Sequence, residues 1–119
     1  VYGNTQVNSQ KIKGIIKKLD IRVFDKLSHG LNTKVGILGS NLSGGQKQII
    51  LLLRAYLRQD TKILLLDEPI SAVDQDSVPE VLKLIQHMGN NKTVLMISHN
   101  SEVSSIVTKS IEITKFKKE

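Results

Sequence analysis

Ile63-Leu64-Leu65-Leu66-Asp67-Glu68 decides the fold class. A short, unbroken aliphatic run, bounded by Lys62 and Asp67, suits a strand buried on both faces of a parallel sheet. Its acidic end then falls at the sheet's C-terminal edge, where α/β folds bind ligands. There Asp67 is a candidate magnesium ligand, through water, and Glu68 a candidate general base for an attacking water. Taken alone, the same acids could simply end a strand and cap the next turn.

Downstream, Ser77 to Met88 reads as a helix with Pro79 in its first turn. Thr93 to Ile97 reads as a second buried strand, Glu102 to Val107 as a short helix and Ser110 to Thr114 as a last strand. Upstream, Asn8 or Ser9 can cap a helix running to about Leu19, with Ile12, Ile15, Ile16 and Leu19 on one face. A short helix is expected around Val23 to Leu27, and Gly30, Gly36 and Gly39 mark 28–41 as loop. Ser43 caps a long helix ending near Arg58. Helices therefore come first, then strand, helix, strand, helix, strand. The second half is α/β and the first half is helical.

Composition removes several function classes. Aromatic residues make up 3% of the 119, which leaves little for base stacking, so no nucleic-acid partner is expected. Cysteine is absent, excluding a disulfide framework and a thiolate metal site. No apolar run approaches the roughly 20 residues of a membrane span. The net charge of +6 comes largely from Lys11, Lys13, Lys17 and Lys18, and from Lys109, Lys115, Lys117 and Lys118. Such clusters either attract phosphate or an anionic membrane face, or are solvated helix and tail surface.

Three further stretches bear chemistry. Leu42-Ser43-Gly44-Gly45-Gln46 sets a serine and two glycines at a helix start, where free backbone N–H groups and the helix dipole favour an anion. Ser43-Gly44-Gly45 by itself could be an ordinary N-cap and turn. Ser71-Ala72-Val73-Asp74 follows the acidic pair, and Ile97-Ser98-His99 closes the second strand. From that edge His99 can reach the same ligand as Asp67 and Glu68. His29 and His87 carry no such reading.

In this order and spacing the stretches resemble the ABC ATPases. Leu42 to Gln46 is identical to that family's LSGGQ signature. Ile63 to Glu68 resembles its Walker B strand with catalytic glutamate, Ser71 to Asp74 its D-loop, and His99 its switch histidine. Val1-Tyr2-Gly3 is similar to the stretch after the Q-loop of exporter-type modules. Thr33 to Gly39 is similar to the loop, TxVGExG, that couples such modules to transmembrane domains. The likeness runs from about Val1 to Ile113. Ile37 stands where the coupling loop has glutamate, Ile49 where arginine often follows the signature, and Ile70 where threonine is usual. Near Thr108 an aspartate is often found that is not present here. No glycine is followed by lysine, so GxxxxGK[ST] does not occur in this sequence.

The resemblance implies an α/β fold: part of a P-loop NTPase-like parallel sheet with an N-terminal helical subdomain. Residues 1–58 would form the helical signature subdomain, and 59–119 the C-terminal part of the catalytic core. It implies ATP and Mg2+ as cofactors and a head-to-tail dimer with a second ABC ATPase module. Ser43, Gly44, Gly45 and Gln46 would serve the partner's ATP. Asp67 (metal), Glu68 and His99 (catalytic) would serve an ATP held elsewhere in this module, with Asp74 linking the two sites. A transmembrane domain would hold the module at the cytoplasmic face of a membrane, and the chain alone would not hydrolyse ATP. The other readings are a head fragment of a chromosome-maintenance or repair ATPase, and a degenerate half-module acting as a non-enzymatic partner.

Overall fold

A computed structural model describes residues 5–25 and 42–114. The expected helix at Val23 to Leu27 (in part), the 28–41 loop, the coupling-loop and Val1–Gly3 likenesses, and Lys115, Lys117 and Lys118 lie outside those residues. In chain order the elements are α1 (Thr5–Lys18), α2 (Gly44–Tyr56), β1 (Ile63–Asp67), a 3-10 turn (Gln75–Ser77), α3 (Val78–Met88), β2 (Thr93–Ile97) and a second 3-10 turn (Ser101–Ser105). The chain is thus mixed α/β, helical first, with a small parallel sheet.

Helix α1 begins several residues before the expected cap. Its lysines are exposed, while Ile12, Ile15 and Ile16 pack against the core. Two residues past its end, Asp20, with a φ of 51°, turns the chain in a left-handed conformation. Beyond it Ile21 and Phe24 are buried, and Val23–Asp25 is a turn closed by the Asp25 amide donating to the Arg22 carbonyl, 2.9 Å.

The core lies between α2, α3 and one face of the sheet. Ile49, Val81, Leu84 and Met88 are fully buried, joined by Leu52, Leu53, Leu64 and Ile85. Each contributes about 1.5–3 kcal/mol by leaving water. Ile49, where arginine often stands in the resembling family, is 0% exposed. Aliphatic packing explains that departure, since a charge there would be buried without a partner.

The strands β1 and β2 pair in parallel, with Ile63 opposite Thr93 and Asp67 opposite Ile97, and α3 makes the crossover between them. Their burial alternates rather than being continuous. Leu64, Leu66, Val94 and Met96 face the helices, whereas Ile63, Leu65, Leu95 and Ile97 are 58–73% exposed. The expected two-sided burial is therefore corrected to one-sided, because among the described residues nothing packs on the second face. The expected strand at 110–114 is also absent. Ile111 and Ile113 are 78% and 90% exposed, with no ladder partner among the described residues. The short helix expected at 102–107 is the second 3-10 turn, capped by Asn100 accepting from the Glu102 amide.

Candidate functional site

Parallel pairing brings both strand ends to one edge. Asp67 lies opposite Ile97, and the Glu68 amide donates to the Ile97 carbonyl at 2.8 Å. Glu68 then turns sharply with φ 47°, a conformation that costs a side-chain-bearing residue about 1–2 kcal/mol. That turn directs its carboxylate toward the residue after β2. Glu68 Oε1 accepts from the His99 backbone amide at 3.2 Å and lies 3.4 Å from His99 Nε2. The carboxylate is 30% exposed and the imidazole 97% exposed, so both are reachable. Asp67 is exposed beside them.

The glycine-rich stretch starts α2 through a capping box. Ser43 Oγ accepts from the Gln46 amide at 3.1 Å, and Gln46 Oε1 accepts from the Ser43 amide at 2.8 Å. The Gln46 side chain is turned inward, 5% exposed, and its Nε2 donates to the Val23 carbonyl at 2.7 Å. The Gly45 amide donates to Asp74 Oδ1 at 3.0 Å, and the Lys47 amide to the Ser43 carbonyl. Fewer donors remain than a bare helix start would offer. Among the described residues the Gly44 amide and the Ser43 hydroxyl have no acceptor. Ser43 is exposed.

Both glycines are required by packing. A β-carbon on Gly44 would sit within the Ala72 carbonyl oxygen, and one on Gly45 would strike the Ser77 side chain. The 71–74 stretch therefore lies directly against the helix start. It is tied to the acidic pair as well, because the Ser71 amide and hydroxyl both donate to the Glu68 carbonyl, at 3.2 and 3.0 Å. Asp74 closes the set by accepting from the Ser77 hydroxyl as well as from Gly45. The 71–74 stretch thus touches the helix start on one side and the backbone of Glu68 on the other.

Two residues that sequence reasoning passed over hold this arrangement. Ser77, 6% exposed, orients Asp74. Glu80 of α3 accepts from the Arg22 and Val23 amides at 2.8 and 3.1 Å, pinning the segment that Gln46 grips from the other side. Spacing carried a signal for Ser77, in the Asp-x-x-Ser run that opens a helix. For Glu80 it carried none, since its partners are 57 and 58 residues away.

The donor set fits part of a metal–nucleotide complex. No three His, Asp or Glu side chains converge among the described residues, so a metal ion here would draw on Asp67 with water and phosphate oxygens, as magnesium does. The Gly44 amide and Ser43 hydroxyl suit one phosphate edge.

Comparison with known proteins identifies the family. The ABC transporter family model matches residues 3–71. An export ATP-binding/permease protein of Rickettsia felis is 44% identical over 107 residues, covering 89% of this chain and 18% of that protein. ATP-dependent lipid A-core flippases are similar too: that of Wigglesworthia glossinidia brevipalpis is 50% identical over 74 residues, 62% of this chain and 13% of its own length. That of Vibrio vulnificus is 45% identical over 76 residues, 64% of this chain and 13% of its own. The chain spans less than a fifth of the length of these relatives. With the family model covering more than half of its residues, and the glycine-opened helix and strand-end acids in the matched order, the chain belongs to the ABC transporter family.

Proposed function

We infer that this chain supplies the hydrolytic wall of one ATP site and the signature wall of another, the pair energising export across a membrane. The observation that carries this reading is the shared edge at which Glu68 and His99 meet, 3.4 Å apart, beside Asp67. Glu68 polarises the attacking water, His99 contacts the terminal phosphate, and Asp67 would hold magnesium. Bound magnesium would neutralise charge developing on the phosphates. Ser43 and Gly44 donate to the ATP of a second ABC module in a head-to-tail dimer. Gly45 and Gln46 shape that wall through Asp74 and Val23. Asp74, hydrogen-bonded to the Gly45 amide, links the two walls. Residues 1–58 act as the helical signature subdomain and 59–119 as part of the catalytic core.

Phosphoryl transfer depends on positioning, and GxxxxGK[ST] does not occur in the sequence. The 119-residue chain alone therefore does not turn over ATP. No helix among the described residues is long and apolar enough to cross a membrane. What supports attachment to its cytoplasmic face through a transmembrane domain is the permease in the relatives' names. The relatives' names favour export over chromosome maintenance.

The test is magnesium-dependent phosphate release by the longest polypeptide whose reading frame contains this segment, and by the 119 residues alone. Glu68→Gln is expected to slow the former about 100-fold or more, and the latter is expected at background. Full turnover by Glu68→Gln, or Glu68-dependent turnover by the short chain, overturns the reading.

A further inference from the structure

The opposite end of the sheet carries a second concentration of charge that hydrolysis does not use. A groove of about 690 Å³ runs between α1, the α2–β1 connection and the end of α3. Such a volume is typical of small-molecule sites. Lys11 and Lys18 line it from α1, Arg58 and Lys62 from the connection, and Lys92 from the start of β2. No Asp or Glu lines it among the described residues.

The lysines are brought together by the fold. Strand register places Ile63 opposite Thr93, and the Thr93 amide donates to the Lys62 carbonyl at 2.9 Å, so Lys62 and Lys92 are neighbours at the strand starts. Like charges so placed repel. Lys92 is partly accommodated: its Nζ donates to the Arg58 and Thr61 carbonyls at 2.8 and 2.5 Å and lies 5.7 Å from the Tyr56 ring centre. The Tyr56 hydroxyl accepts in turn from Asn91 Nδ2 at 2.9 Å, and its ring meets the His87 ring edge-on. The other four cations make no ion pair with any described residue. The groove therefore has a fixed floor and uncompensated positive walls.

We propose that this groove is a binding site for a multiply charged phosphate ligand, separate from the ATP edge. Lysines bind phosphate as point charges and impose little geometry. The Tyr56 ring already contacts Lys92 and His87, and recognition in the groove falls to its cations. Parallel strands of five residues put it roughly 15 Å from Asp67 and Ile97. The phosphates belong either to a free anion or to a lipid headgroup.

The experiment titrates sodium tripolyphosphate into the 119-residue chain by calorimetry at low ionic strength and low micromolar protein. Lys18→Gln/Lys62→Gln should weaken binding about tenfold, as expected for the loss of two exposed charge contacts. Lys13→Gln/Lys17→Gln removes the same charge from the side of α1 near Asp20 and Asp25, and should leave binding intact. Glu68→Gln should also leave it intact, which separates this site from the hydrolytic one. Circular dichroism checks that each variant is folded. Sedimentation with vesicles of equal parts phosphatidylglycerol and phosphatidylcholine distinguishes the sources. Vesicle binding lost in Lys18→Gln/Lys62→Gln assigns the phosphates to a lipid, and tripolyphosphate binding without vesicle binding assigns them to a free anion. Binding of neither probe, or equal loss in both lysine pairs, overturns the proposal.

Discussion

At the scale of single residues, the glycines of the signature stretch are constrained by their own chain before any ligand is considered. The Ala72 carbonyl occupies the space a Gly44 side chain would need, and backbone cannot move aside as a flexible side chain can. Gly44→Ala should therefore destabilise the fold by about 1–3 kcal/mol. Ser43→Ala, which removes only the cap to the Gln46 amide, should cost about 1 kcal/mol. Chemical denaturation of the two variants checks the order, and equal midpoints would contradict it. That the serine and glycines open α2, that the acid pair falls at the end of β1 and that the histidine follows β2 was legible from local pattern, whereas the choice among the roles open to them came from the family likeness. The inward turn of Gln46 was legible only in part. Its capping half follows from Ser-x-x-Gln, whereas its bond to Val23 crosses 23 residues.

Elements show where local pattern is enough and where it fails. α3 follows from its apolar spacing and Pro79, and it runs Val78–Met88 against the Ser77 to Met88 expected, Ser77 being its N-cap. Strand positions were also readable, yet one-sided burial was not, since an aliphatic run looks the same whether one face or two is covered. The stretch at Ser110–Thr114 failed for a related reason: alternating isoleucines make a strand only when a neighbour offers hydrogen bonds. The end of α3 carries a pH signature. Burial, and then the nearby Lys18 charge, hold the His87 pKa below its ordinary value. A base depressed on folding binds its proton better when unfolded. Its share of stability is therefore present above the ordinary histidine value of 6.5 and is lost as pH falls below it. Lys18→Gln should move the His87 titration upward in an NMR pH series, and His87→Gln should flatten the loss of stability between about pH 7 and 5. An unmoved titration in Lys18→Gln would remove Lys18 as a cause.

For the molecule as a whole, the dominant feature is a sheet with one face on the helices and the other, among the described residues, open. Ile63, Leu65, Leu95 and Ile97 form an apolar surface that water meets directly, and apolar patches of this kind bind other apolar surfaces. The 119-residue chain should bind a hydrophobic dye and scatter light increasingly with concentration. Leu65→Lys should reduce both while leaving the melting temperature nearly unchanged, Leu65 being 73% exposed. A large fall in melting temperature would mean that the face is covered in solution.

The backbone at Glu68 has a further consequence. Its left-handed turn would suit asparagine or glycine better than the residue it holds. Replacing the acid with either would leave a chain at least as easy to fold while ending its proposed chemistry. Selection for solubility or yield would thus tend to discard the base unnoticed, and a well-behaved purified variant is no evidence that the chemistry survives.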